Sequence, residues 1–411
     1  MGSGALQRPE IQVRIAAGMP RAMGSMRYLL YKDYASGLFN NWISFELGAG
    51  LAHLTKRRLV LYGSVGEERR LLHIRGGNYQ YLRPGFSAVL DNSRHPTVLD
   101  LMDTATVELL DYPAYRDAAQ GLETLESDIK LTRAAYVHGA RSAEDAMAQH
   151  GERLAEFLAG RDILVDPNEA SWHLHACNLG FYSRFFFNPT PELASLLKNI
   201  RPRADYRNLA EKVSLALGPF NGVHIRLTDF KQFLPQGADY AGTILETLGS
   251  TFPRDELLVI CTDESHNREF FAPITAAFPR HVFLDEFIVG EFAREFLGLP
   301  FTDEQSLGFV CNIVMWDARE FSGTPGSTYS GMIHRHWYSR RRAQDARSDP
   351  PFRFINCGEA GKGGSEPGYF ENGAFVECRK GDFSWTRTAI RRASETLSWY
   401  REWPESAIDS R

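Results

Sequence analysis

The stretch Val223-His224-Ile225-Arg226-Leu227-Thr228-Asp229-Phe230 decides how this chain is read. Pro219, Asn221 and Gly222 ahead of it carry turn chemistry, and Val223 and Ile225 alternate with polar neighbours as strand residues do. The strand then runs out into a loop that holds Arg226 and Asp229. An arginine fixed at the carboxyl end of a strand is what an open α/β sheet offers a phosphorylated ligand in its crevice. A surface ion pair between Arg226 and Asp229 is the plainer account of the same residues.

Outward from this strand the rhythm is strand, loop, helix. Towards the C-terminus, a helix over 240–248 leads to a strand over 256–261 that ends in Thr262-Asp263-Glu264. A helix over 267–278, a strand over 281–285, a helix over 303–315 and a short strand over 318–322 follow, with strand and turn signals over 352–385 and an amphipathic helix over 386–400. Towards the N-terminus, helices are expected over 192–200 and 206–217, the first capped by Thr190 with Pro191 in its first turn. A second βαβ unit opens the chain: strand 27–31, turn 36–41, a helix over 42–56 with Ile43, Leu47, Leu51 and Leu54 at helical spacing, and strand 59–62. The stretch 67–170 is more polar, with helices expected over 114–124 and 143–158, and reads as an insertion. The aromatic segment 177–187 follows it.

At 411 residues the chain exceeds one compact core and fits two domains. Charged residues at 24% and hydrophobic ones at 43% are those of a folded protein. A net charge of -5 argues against broad phosphate contacts along nucleic acid, although Arg335 to Arg347 form a local basic run. No apolar run is long enough to span a bilayer, and residues 1–25 read as a flexible leader without the apolar block of a secretory signal. Five cysteines (Cys177, Cys261, Cys311, Cys357, Cys378) are odd in number and lack zinc spacing. The expectation is a cytoplasmic protein with no metal site, no membrane contact and no nucleic-acid partner.

Two further segments carry ligand chemistry. Ser36 to Asn41 precedes a helix N-terminus, where unpaired amides and the positive dipole end favour an anion. Gly37 lets the backbone come close, and Asn40 and Asn41 either cap the helix or contact a ligand. Gly323 to Ser330 repeats the arrangement, with two glycines and a proline shaping a loop and Ser327 and Thr328 at a helix start. Hydroxyls and amides there make a phosphate cradle, but the lysine of a P-loop is missing. Tyr329 either stacks on a base or plugs the loop.

Together these segments resemble the protein O-fucosyltransferase superfamily, whose relatives include the α-1,6-fucosyltransferases. Its first motif is matched by Gly37-Leu38-Phe39-Asn40-Asn41 with Ser44-Phe45-Glu46 and Gly50-Leu51-Ala52, and its second by His224 to Phe230. Its third is matched by Gly323-Thr324-Pro325-Gly326-Ser327-Thr328-Tyr329-Ser330, and more weakly Cys261 to Glu264 matches a family strand end. The matches keep their order from about residue 28 to 335. The resemblance implies an α/β protein of the GT-B fold, two Rossmann-like domains facing each other across a cleft. In that reading 26–200 is the N-terminal domain with its insertion on the acceptor side, 201–385 the GDP-sugar side, and 386–411 a closing helix.

The resemblance further implies an inverting glycosyltransferase that moves fucose from GDP-fucose to a hydroxyl of a protein or glycan acceptor, with no cofactor and no required metal. It maps the catalytic role onto Arg226, at the β-phosphate, and Asn40. Donor binding maps onto Gly37, Phe39, Asn41, His224, Asp229, Asp263, Asp317, Ser327, Thr328 and Tyr329. The glutamate that some members carry before the first motif is absent, since Ala35 and Ser36 stand there. Asp33, Glu46 or no residue at all is then the general base, and Asp317 substitutes for a family acid expected near Cys311 and Asn312. A transferase using another GDP-sugar, or a GDP-sugar-binding protein without catalysis, fits the same residues.

Overall fold

The computed structural model describes residues 27–32, 38–54, 57–62, 90, 96, 98–104, 107, 109–111, 124–126, 162–165, 191–228, 239–324, 327–344, 353–355, 369–371 and 374–376. The helix expected over 143–158, the aromatic segment 177–187, Asp33, Cys357, Cys378 and the expected closing helix lie outside these residues.

Strand β1 (Arg27–Lys32), helix α1 (Leu38–Leu54) and strand β2 (Arg57–Tyr62) form the opening unit, with β1 and β2 parallel from Arg27 opposite Arg57 to Lys32 opposite Tyr62. Helix α2 (Val98–Leu101) and strands β3 (Met102–Asp103), β4 (Leu109–Asp111), β5 (Thr124–Glu126) and β6 (Asp162–Val165) follow. Strands β4-β2-β1-β6-β5 make a five-stranded, wholly parallel sheet in that order. Of the helix expected over 114–124 only Thr124 is described, and it is extended, drawn into pairing with Asp162. Cross-strand pairing overrides local propensity there.

The second half comprises α3 (Pro191–Asn199), β7 (Arg201–Pro202), α4 (Ala204–Leu217), β8 (Asn221–Ile225), α5 (Tyr240–Thr251), β9 (Leu258–Thr262), α6 (Arg268–Ala277) and β10 (His281–Phe283). It continues with α7 (Leu284–Glu291), α8 (Ala293–Leu297), α9 (Glu304–Val314), a 3-10 turn (Met315–Asp317), β11 (Phe321–Gly323), α10 (Thr328–Gln344), β12 (Arg353–Phe354) and the hairpin β13 (Tyr369–Glu371) and β14 (Ala374–Val376). Strands β10-β9-β8-β11-β12 form a second five-stranded parallel sheet. Asp239, Asn267 and Asp303 cap α5, α6 and α9 by accepting the amides of Gly242, Phe270 and Ser306. The strand expected over 281–285 stops at Phe283. Asp285 and Glu286 instead occupy the first turn of α7, where the helix dipole favours acids.

The second sheet is doubly wound, with helices packed on both faces. From β8 the chain steps outward to β9 and β10, then returns to the other side of β8 as β11 and β12. All strands of these sheets stay parallel, but the order in which they are added switches sides between β8 and β11, and in the first sheet between β1 and β6. Such switch points open a crevice at the carboxyl ends of the strands.

The strands alternate as buried sheets do. Val223, Ile225, Leu258 and Ile260 pack with Ile244, Leu248, Phe271 and Ile274 on one face. Val259, Cys261 and Phe321 face a second cluster with Phe309, Met315, Trp316, Ile333 and Trp337. That second cluster runs on without a break into α1, taking in Phe39, Trp42, Phe45 and Ala49. Each aromatic or large aliphatic side chain buried there contributes about 1.5–3 kcal/mol.

Candidate active site

The switch of sides in the second sheet places His224 opposite Gly323, so the arginine strand and the glycine loop end side by side. The buried Thr324 joins them: its hydroxyl donates to the carbonyl of His224 and accepts from the amide of Arg226, both at 2.9 Å. From the other side, Asp263, just past the end of β9, grips the next two residues. Its Oδ1 accepts from the Leu227 amide at 2.9 Å, and its Oδ2 from the Thr228 amide at 3.2 Å and the Thr228 hydroxyl. The half-buried Arg226 thus leaves the sheet between two anchors, and its direction is fixed before any ligand arrives.

Helix α10 comes unusually close to the strand end. A Cβ on Gly323 would lie 2.7 Å from that of Ser330, so only glycine permits the approach. Ser330 Oγ sits 2.7 Å from His224 Nδ1, and the His224 ring stacks on Tyr329 at 4.4 Å and 21°. The Tyr329 hydroxyl donates to Gly308 O at 2.6 Å and has Cys261 Sγ at 3.2 Å. Asn312 Nδ2 donates to Tyr329 O at 3.1 Å, while its Oδ1 accepts from Trp316 Nε1 at 3.0 Å. Phe39 meets Tyr329 edge-on at 4.9 Å. The rings of Phe39, Tyr329 and His224 therefore link the start of α1, the start of α10 and the end of β8, one residue from each of the three segments singled out above.

Burial, with Arg226 and His334 adding to it, holds His224 well below the ordinary histidine range, so its ring is neutral near pH 7. Burial, reinforced by Cys261 and Cys311, pushes Tyr329 well above the usual phenol range. It stays a hydrogen-bond donor. With its ring on His224 and its hydroxyl committed, Tyr329 plugs the loop.

Ser327, immediately before α10, is 2% exposed and its hydroxyl makes no hydrogen bond. Its backbone is held by Thr324 O at 3.3 Å and by the amide of Gly331 at 2.9 Å. A buried hydroxyl without a partner, beside the first turn of a 17-residue helix, is suited to a ligand oxyanion.

The remaining expected residues fall as follows. Asn40 and Asn41 are the third and fourth residues of α1, inside the helix and not in a turn before it, because the helix already begins at Leu38. The buried contacts of Phe39 with Tyr329 and Phe309 hold that first turn against α10. The side chains of Asn40, Asn41 and Thr328, and all of Gly37 and Asp229, lie outside the described residues. Asp317 accepts from Arg340, twelve residues and so about 18 Å along α10 from its start. Asn312, not Asp317, reaches the loop.

Glu46 is buried, with Arg335 Nη2 at 2.8 and 2.7 Å from its two oxygens and Trp42 Nε1 donating at 2.6 Å. A carboxylate so enclosed is poorly placed to take a proton from an acceptor. Three arginines of the basic run are held by partners within the protein. Arg335 faces Glu46, Arg340 binds Asp317 and lies over the Trp316 ring at 5.3 Å, and Arg341 donates to Ala318 O at 2.9 Å. Sequence reasoning missed the roles of Thr324 and Asn312; the first stands inside a quoted motif, and the second had no local signal. Among the described residues no group of three or more His, Cys, Asp or Glu side chains is placed to hold a metal ion, and no helix is long and apolar enough to cross a membrane.

No protein-family model and no curated protein sequence matches this chain. Solved structures similar to it include the fucosyltransferase NodZ from Bradyrhizobium, at 14% identity and TM-score 0.39 over 76% of this chain and 93% of that one. POFUT1 in complex with GDP is similar at 12% identity and TM-score 0.36, over 80% of this chain and 98% of its own. A mutant of Arabidopsis thaliana FUT1 in complex with GDP is similar at 11% identity and TM-score 0.37, over 76% and 69%.

Proposed function

We propose that the chain is a glycosyltransferase of the O-fucosyltransferase type, transferring fucose from GDP-fucose to a hydroxyl acceptor with inversion and without a metal. One observation carries this reading: the three motif segments come together through Phe39, Tyr329 and His224, at the carboxyl ends of parallel strands where the winding order switches sides. The reading rests on those motifs and that convergence, not on the loose structural likenesses. A GT-B division into units 26–200 and 201–385, and a cytoplasmic setting, belong to the same proposal.

When the bond between fucose and GDP breaks, negative charge collects on the β-phosphate and positive charge on the sugar. Arg226, the Ser327 hydroxyl and the first amides of α10 would stabilise the departing diphosphate, a role that metals fill in other transferases. With Glu46 enclosed, either Asp33 takes the acceptor's hydroxyl proton or the acceptor attacks a sugar whose bond to GDP is already largely broken and releases that proton to water. Asp263 acts in this scheme by holding the loop after Arg226.

Calorimetric titration with GDP, GDP-fucose, GDP-mannose and UDP-glucose, without added metal, tests the proposal. Binding confined to GDP and GDP-fucose is the expected result. A preference for GDP-mannose replaces the sugar, and no binding of any nucleotide removes the reading. The enclosure of Glu46 favours one second reading, a GDP-sugar-binding protein without catalysis. Release of free fucose from GDP-fucose separates enzyme from binder.

A further inference from the structure

Helices α1 and α10 meet through three pairs of side chains. Phe39 meets Tyr329 near both N-termini, and further along Trp42 stacks on His336 at 5.5 Å and Glu46 meets Arg335. From Phe39 to Glu46 the helix rises about 10 Å, and from Tyr329 to Arg335 about 9 Å. Contacts near both N-termini and again about two turns along show that the two helices run the same way with both N-termini at the site, while the Trp42–His336 pair is offset, about 4.5 Å along α1 but about 10.5 Å along α10. Glu46 and Arg335 are each about 3% exposed, so this ion pair is wholly inside the protein. Burial pulls the Arg335 guanidinium well down from its usual range, and Glu46 is the carboxylate that faces it.

Replacing such a pair with apolar residues of similar size is often neutral or favourable for stability. A buried ion pair does fix one geometry, because sliding either helix by a turn strands a charge in the core. We propose that Glu46 and Arg335 are positioning residues that set the register of α1 against α10, and with it the spacing between the first-motif segment and the Ser327 loop that a GDP-sugar would bridge. The inference rests on the function proposed above and adds to it the residues that hold the two halves of the donor site in step.

The test uses the full chain and three proteins: wild type, Glu46→Asp, and the double variant Glu46→Leu with Arg335→Met. Thermal melting is compared with GDP affinity and with turnover of GDP-fucose. The double variant is expected to melt near wild type while losing about tenfold to a hundredfold in turnover, as small misplacements of a site do. Glu46→Asp keeps both charges on a shorter arm. It is expected to fold and to show a smaller loss in the same direction, which keeps the test decisive should the double variant not fold. Wild-type affinity and turnover in a stable Glu46→Asp or double variant would overturn the positioning role alone. Failure of the wild-type protein to bind GDP would overturn the functional reading beneath it, and this inference with it.

Discussion

Arg226 and Ser327 differ in what they owe to the fold. Arg226 is held through its backbone, by Thr324 behind it and by Asp263 through the next two residues, so truncating its side chain leaves those bonds in place. Arg226→Ala should lower turnover of GDP-fucose about a hundredfold with little change in melting temperature. Activity of a tenth or more of wild type would sink its assigned role. Ser327 is the reverse of a stabilising residue, since its hydroxyl is buried without a partner. Ser327→Ala should leave stability unchanged or raise it by up to about 1 kcal/mol, and weaken GDP about tenfold, in line with a hydrogen bond to a charged group. Denaturant unfolding beside calorimetry checks both halves. At this scale the sequence was legible where backbone chemistry decides, as with Arg226 at a strand end. It was illegible where a long-range partner decides, as with Asn312 and Asp317, whose separate roles depend on which of them reaches Tyr329.

Between elements, the interface of α1 with α10 and the 3-10 turn contains a pH-sensitive ring. His336 is 1% exposed, lies 4.0 Å from Trp316 and 5.5 Å from Trp42, and neither ring nitrogen has a hydrogen-bond partner. Burial, with Arg335 and Arg340 adding to it, holds it well below the ordinary histidine range. Its folded form is therefore neutral where the unfolded chain begins to take up a proton, at about pH 6.5. Stability is complete above that pH and falls as pH drops through it, by about 1.4 kcal/mol per pH unit for each such histidine. His224 shifts the same way and adds to the slope. Thermal melts from pH 7.5 to 5.5 should show a shallower acid loss in His336→Phe than in wild type; equal slopes would refute the assignment. The elements were legible wherever apolar spacing was regular, as in α4 and α9. The bounds that moved, at Leu38, Thr124 and Leu284, moved because a contact far along the chain or a helix dipole outweighed local preference.

For the molecule as a whole, the alternation of strand and helix announced parallel sheets, and both sheets are wholly parallel. Strand order was beyond reach, since nothing local tells β11 to return beside β8 in place of extending past β10. The continuity of one apolar cluster from α1 into the layer of α9 and α10 was equally hidden, because each helix shows only its own stripe. That continuity makes assembly a matter of time. Glu46 and Arg335 are 289 residues apart in the chain. At about 5–20 residues per second, α1 leaves the ribosome roughly 15–60 s before its partner helix exists. Throughout that interval Trp42 and Phe39 lack the His336 and Tyr329 rings that cover them in the finished protein. An apolar face left open that long is the kind of surface chaperones bind, and the site closes only once α10 has been made.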